Sequence, residues 1–265
     1  MMHWIRRLVT RAAATPAGPD VESFDQFLEK HEVASGAADE VIAQEKLRLL
    51  SEIGEAESIR DYGGVWGVRG LYLLEGIKAL GATRAHMIDT LEDEEFIRRV
   101  EELQAERPVR VEITQADFRE LGLQERLEPV DVSLLYDVIL HQDDACGVIR
   151  DVLRRTRRYV CLAQPVLREE MFRLPNGCVN LQFYPRELKD RLQVFGWGPQ
   201  ERPRDRFCTG CWIWGQTVSF LTSVCYGYGW DREHLKVLGF SRHWNYALMR
   251  FTPRGPSEPE KQSEG

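Results

Sequence analysis

The sequence predicts an α/β protein built on a doubly wound, mostly parallel sheet, and three observations carry that reading. Short apolar runs of strand length alternate with segments of helical periodicity from about residue 57 to residue 163. A glycine-rich turn, Asp61-Tyr-Gly-Gly-Val-Trp-Gly67, follows the first of those runs and leads into a helix. Three later segments each end in a carboxylate: Ala85-His-Met-Ile-Asp89, Val111-Glu-Ile-Thr-Gln-Ala-Asp117 and Val132-Ser-Leu-Leu-Tyr-Asp137. Small residues let a backbone approach a ligand closely, and an acid at a strand end can bind a polar group of that ligand.

Along the chain, 15–19 (Thr-Pro-Ala-Gly-Pro) breaks any leading helix. Residues 23–30 read as a short helix with Phe24, Phe27 and Leu28 on one side, and 38–53 as a second with Val41, Ile42, Leu47 and Leu50 at near-helical spacing. Both can serve as plain cover for the core. Residues 57–62 form the first strand, a poor one because Arg60 sits in its middle. A helix from Gly67 carries Leu71, Leu74, Ile77 and Leu80 as its apolar stripe and stops at Gly81. The second strand is 85–89. A charged helix over 92–104 turns Phe96, Ile97 and Val100 inward. The third strand is 109–116, and the fourth, 130–138, is a nearly continuous apolar run of the kind buried on both faces. A helix over 146–158 precedes the fifth strand, 159–163, which Pro165 stops. Residues 165–214 break the rhythm with proline and glycine turns and a short helix near 185–195. A helix over 216–228 and two strands, 233–238 and 244–251, close the domain.

The chain has 265 residues, 43% of them hydrophobic, enough for one large domain with insertions. Its net charge of -7 and pI near 5.5 speak against general nucleic-acid or anionic-membrane binding. No apolar run is long enough for a transmembrane helix. Six cysteines in a chain this long are too sparse for a disulfide framework, which suggests reduced thiols in a cytoplasmic protein. The first 19 residues contain no acid and three arginines, Arg6, Arg7 and Arg11. They fit a transit peptide or a surface-lying helix, but a flexible leader over 1–20 is the plainer expectation. The segment 253–265, rich in Pro, Ser, Glu and Lys, is expected to be disordered.

The glycines exclude two nucleotide folds. A dinucleotide site wants Gly-x-Gly-x-x-Gly, and no choice among Gly63, Gly64, Gly67 and Gly70 gives it, although Asp89 lies 22 residues past Gly67. A phosphate-binding loop wants Gly-Lys-Ser/Thr, which is absent.

The order of turn and acids resembles the class I S-adenosylmethionine-dependent methyltransferases, in which Asp-x-Gly-x-Gly-x-Gly follows the first strand. The resemblance covers roughly residues 55–165, with a weaker echo over 215–252. It implies a Rossmann-like sheet with an antiparallel last strand and S-adenosylmethionine as cofactor. Residue by residue, Asp61, Gly63, Gly64 and Gly67 fall in the first motif, Asp89 at the ribose acid, Asp117 at the adenine contact, and Tyr136, Asp137 and His141 at the end of the fourth strand. Val65 stands where the family's central glycine usually sits, and a Cβ there narrows the room for a cofactor.

His141 is then the candidate nearest the chemistry. Methyl transfer from a sulfonium rests largely on positioning and exclusion of water. A base is needed only when the acceptor must lose a proton, and histidine suits that task; a packed or capping histidine is the plain alternative. Asp143 or Asp144 could cap the helix that follows. The insertion 165–214 carries Phe172, Phe183, Tyr184, Trp197, Trp212 and Trp214, with Gln164, Gln182 and Arg186 as nearby polar groups. It reads either as the wall of a small-molecule pocket or as a small core of its own. Cys208-Thr-Gly-Cys211 has metal-ligand spacing but no matching second pair, so no metal is expected. Arg154-Arg-Thr-Arg-Arg158 fits the basic end of a helix better than an RNA contact. The leading reading is methyl transfer to a small organic acceptor, at oxygen or nitrogen rather than carbon. The alternatives are a non-catalytic protein that keeps the fold for binding or assembly, and an RNA methyltransferase.

Overall fold

The computed structural model describes residues 38–65, 68–120, 123–171, 176–181, 184–192, 213–239 and 243–255. The expected helix over 23–30, the leader, and the candidate residues Gly67, Phe172, Gln182, Phe183, Trp197, Cys208, Cys211 and Trp212 lie outside them.

Seven strands form one sheet. They are β1 (Ser58–Tyr62), β2 (Arg84–Asp89), β3 (Arg110–Gln115), β4 (Val130–Tyr136), β5 (Thr156–Leu167), β8 (Trp230–Gly239) and β9 (Trp244–Pro253), in the spatial order β3-β2-β1-β4-β5-β9-β8. The pairs from β3 across to β5 are parallel. β9 runs antiparallel to both β5 and β8, so the last strand lies inside the sheet and β8 is its edge. The order reverses between β1 and β4, and ligands of open α/β sheets bind at the carboxyl ends of strands beside such a switch.

One face is covered by α1 (Ala38–Ser51), α2 (Leu71–Leu80) and α3 (Glu94–Glu106). Ile42, Leu50, Leu73, Ile77 and Phe96 pack there against Ile59, Met87 and Leu134. The other face is covered by α4 (Leu123–Arg126), α5 (Ala145–Arg154) and α7 (Val218–Gly227), with Ile149, Val152, Leu221 and Cys225 against Leu135, Leu162, Ala247 and Phe251. Caps set several boundaries. Asp93 accepts from the Phe96 N–H, Asp144 from Gly147 and Thr217 from Phe220. Of the two candidate caps near the start of α5, Asp144 is the one used.

Several expectations are corrected. β1 is fully buried, and Arg60 is accommodated because its guanidinium is bonded within the fold: Nε donates to His86 Nδ1 at 3.2 Å and a terminal nitrogen to the Glu128 carbonyl at 2.8 Å. α2 begins at Leu71, after Gly70 in the left-handed region (φ 68°). α5 ends at Arg154, and β5 starts at Thr156 and runs through Pro165 to Leu167. β4 pairing stops at Ala163, so the N–H that Pro165 lacks deprives no β4 partner. Arg157 and Arg158 therefore lie on a strand. Arg157 pairs with Asp131 at 3.3 Å and Arg158 donates to the Glu55 carbonyl at 2.8 Å. β9 reaches Pro253, two residues beyond the expected strand end.

Between β5 and α7 the structure places a two-stranded antiparallel sheet that the sequence did not suggest, β6 (Cys178–Asn180) with β7 (Trp214–Gln216), and a short helix α6 (Arg186–Arg191). No helix of the described residues is long and apolar enough to cross a membrane.

Candidate functional site

The glycine turn after β1 is fixed by two close approaches. Gly63 has φ 75°, its N–H donates to the Ile88 carbonyl at 2.8 Å, and a Cβ on it would lie 3.1 Å from Val138. A Cβ on Gly64 would lie 2.0 Å from an Asp61 carboxylate oxygen, so the turn and the strand-end acid are packed as one unit. Val65 is buried with the apolar residues of α2 and α3, so its side chain belongs to the core.

Asp61 is 1% exposed, and its Oδ2 has no hydrogen-bond partner among the described residues. Burial, reinforced by the nearby Asp89 carboxylate, raises its pKa to about 7. Asp89 accepts from the Val65 N–H at 2.8 Å and the Leu91 N–H at 2.9 Å, so the second-strand acid also holds the glycine turn. Asp117 is engaged by its neighbour. Arg119 donates to both carboxylate oxygens, the shortest contact being 2.6 Å, and Arg119 also lies 3.6 Å from Asp143. Burial pushes Asp117 up, but the guanidinium outweighs it and the carboxyl lies below its ordinary range.

At the end of β4, Asp137 adopts φ 57°, a left-handed conformation uncommon outside glycine. Lys46 of α1 lies 2.6 Å from one of its oxygens, and the Tyr246 hydroxyl donates to the carboxylate at 2.8 Å. The Lys46 side chain is 5% exposed and that of Asp137 42%, so the pair joins the interior to the rim. The Lys46 ammonium lies 4.8, 5.4 and 5.6 Å from the ring centres of Tyr72, Tyr136 and Tyr246. Burial lowers its pKa, but the Asp137 charge more than compensates, and the group is held above its ordinary value. Tyr136 stacks edge-on against Tyr72 and donates to the Lys46 carbonyl at 3.2 Å, so its ring faces α1.

Lys46 is the residue that sequence reasoning missed. The signal was present: it stands on the buried stripe of α1 made by Ile42, Leu49 and Leu50, where a lysine has no place without a partner.

His141 closes a turn over Ile139–His141 immediately after β4, partly exposed, with its N–H on the Val138 carbonyl. Next to it the Gln142 carbonyl accepts from the Trp214 indole at 2.7 Å, and the Ile213 N–H donates to the Leu140 carbonyl at 2.8 Å. The described part of the insertion is thus moored to the turn that carries His141. Tyr184 packs with Leu181 and Leu192 near Leu140, Leu167 and Trp244. Gln164 is fully buried and donates to Gln216 at 2.9 Å, behind β7. The structure brings Asp61, Gly63, Gly64, Asp89 and Asp137 to one rim, with Asp117 at the end of the neighbouring strand. Among the described residues no cluster of metal-ligating side chains is found, and Cys146, Cys161, Cys178 and Cys225 are free thiols.

No family model matches the sequence. No curated protein matches it either. Solved structures do. An O-methyltransferase family protein from Burkholderia thailandensis aligns at a TM-score of 0.53 and 14% identity, over 97% of this chain and 70% of that one. The fold is that of the class I S-adenosylmethionine-dependent methyltransferases. The 1,6-didemethyltoxoflavin-N1-methyltransferase of the same organism, solved with its substrate and S-adenosylhomocysteine, aligns at 0.51 and 13% identity over 91% and 95% of the two chains. The [4+2]-cyclase SpnF aligns at 0.52 and 12% identity over 95% and 93%. The same fold thus carries more than one chemistry.

Proposed function

We propose that the protein binds S-adenosylmethionine along the carboxyl ends of β1, β2 and β4 and transfers its methyl group to oxygen or nitrogen of a small organic acceptor. The observation that carries this reading is the convergence of Asp61, Gly63, Gly64, Asp89 and Asp137 on one rim of this fold. Asp89, which holds the glycine turn through the Val65 and Leu91 N–H groups, is the candidate for the ribose hydroxyls. Gly63 and Gly64, with Gly67 beyond the described residues, give the close backbone approach. Asp137, with the backbone of Tyr136, faces the charged amino-acid end, and Asp117 the adenine.

The bound cofactor would supply an electrophilic methyl group. The chain's own residues orient the acceptor, exclude water and, for a hydroxyl acceptor, move a proton to His141. In this reading 21–252 is one methyltransferase-like domain and 165–214 its lid, with Trp214 and Tyr184, and Trp212 and Gln182 beyond the described residues, as acceptor walls. Gln164 lines that wall only from behind β7. Free thiols fit a cytoplasmic setting.

A second reading has its own support: Asp117 is already satisfied by Arg119, as suits a protein that keeps the fold for binding without catalysis. Calorimetric titration with S-adenosylmethionine and S-adenosylhomocysteine tests the first reading, followed by mass detection of methyl transfer to a panel of phenols and amines. Micromolar binding with a methylated product supports it. Binding without any product favours the second reading, and no binding of either nucleoside removes the first.

A further inference from the structure

The rim of the site holds an uneven set of charges. Asp61 and Asp137 are two carboxyl groups, and Lys46 is the one ammonium among the described residues that lies on Asp137 while its charge also acts on Asp61. Lys46 is committed to Asp137 at 2.6 Å, while Asp61 is enclosed beneath Gly64 with Oδ2 unpartnered. The surrounding elements do not correct the imbalance. Asp89 of β2 is bonded to the N–H groups of Val65 and Leu91. Tyr72 of α2, Tyr136 of β4, Tyr246 of β9 and Cys161 of β5 are all held neutral by burial. Burial and the Asp89 charge outweigh the Tyr62 backbone hydrogen bond and the Lys46 charge, so the Asp61 carboxyl, with one oxygen unpartnered, holds its proton well above the usual carboxylate range.

We propose that a ligand carrying a primary ammonium, seated at Asp137, drives one proton out of the site. The incoming ammonium takes the Asp137 carboxylate, Lys46 turns from Asp137 to the unpartnered oxygen of Asp61, and the Asp61 proton passes to solvent. The charges balance on both sides. The empty site holds one ammonium, one carboxylate and one neutral acid; the filled site holds two ammonium–carboxylate pairs. The three tyrosine rings around Lys46 keep its charge against π faces as it turns. This inference rests on the cofactor reading above, since the amino-acid end of S-adenosylmethionine supplies such an ammonium. It adds that Lys46 is a mobile counter-ion and that binding is linked to pH.

The test is titration calorimetry with S-adenosylhomocysteine at pH 6.5 in two buffers of different ionisation enthalpy, with 5′-methylthioadenosine, which lacks the amino-acid end, as the comparison probe. The expected result is release of most of one proton with S-adenosylhomocysteine and none with 5′-methylthioadenosine. Affinity for S-adenosylhomocysteine should rise about tenfold between pH 6 and pH 8. Asp61→Asn and Lys46→Met should each abolish the release; if the first fails to fold, the second and the wild-type buffer comparison still decide. Equal heats in the two buffers, or release that survives Lys46→Met, overturn the inference while leaving the cofactor reading intact. Failure of S-adenosylhomocysteine to bind at any pH removes both.

Discussion

At the scale of single residues, Asp61 combines complete burial with a missing partner, and its own pH signature follows. Its folded pKa, raised by burial to about 7, lies above the unfolded value near 3.8. Its contribution is therefore fully present below the unfolded value and is lost as pH rises through the folded one. The unfolding free energy of the ligand-free protein from urea titration should fall from pH 4 to pH 7 relative to that of Asp61→Asn, by on the order of a few kcal/mol. Parallel pH profiles for the two proteins would mean that Asp61 is ionised in the empty site. Asp89 has two tasks, so Asp89→Ala should weaken S-adenosylhomocysteine binding roughly tenfold or more, about 1.4 kcal/mol per factor of ten. It should also lower the melting temperature through the freed Val65 and Leu91 N–H groups. Unchanged affinity in a folded variant would remove Asp89 from the ribose site. Gly64→Ala should be severely destabilising, because its methyl group collides with the Asp61 carboxylate, and Asp61→Ser in the same chain should restore folding. Much of this was legible in the sequence as residue types at strand ends. What was not legible is how each carboxylate is occupied, since Arg119, Lys46 and the Val65 N–H reach their partners through tertiary geometry that no spacing encodes.

At the scale of elements, the sequence located every strand of the sheet and misplaced mainly their ends. The fifth strand is the instructive case. Arg157 and Arg158 read as the basic end of a helix, yet both lie on β5, where Asp131 and the Glu55 carbonyl satisfy them. A charged residue's partner two elements away outweighs its local propensity. The β6–β7 ladder went unseen because three-residue strands leave almost no periodic signal. The turn after β3 makes a prediction of its own. Arg119 occupies Asp117, and any adenine contact must compete with a bidentate guanidinium. Arg119→Ala should tighten S-adenosylhomocysteine binding several-fold by isothermal titration. Weaker binding in that variant would show instead that Arg119 belongs to the adenine site.

At the scale of the whole molecule, the insertion and the sheet are joined through Trp244, which is fully buried and donates its indole N–H to the Leu192 carbonyl at 2.5 Å. Trp244→Ala should cost roughly 3–5 kcal/mol in chemical denaturation, the range for removing a large buried aromatic side chain. It should also loosen Tyr184 and its neighbours, read as faster proteolysis within 165–214. Equal stability of variant and wild type would make the insertion an independent unit. The placement of β9 reaches further still. It is the last strand in sequence, yet it is the wedge between β5 and β8. During synthesis β5 therefore emerges with one flank unpaired, and that flank stays open until some eighty further residues have left the ribosome. A nascent chain in that state displays the bare rim of an apolar strand, the surface on which chains adhere to one another. Closure of this sheet thus waits on the synthesis of β9, whatever the earlier strands have already done.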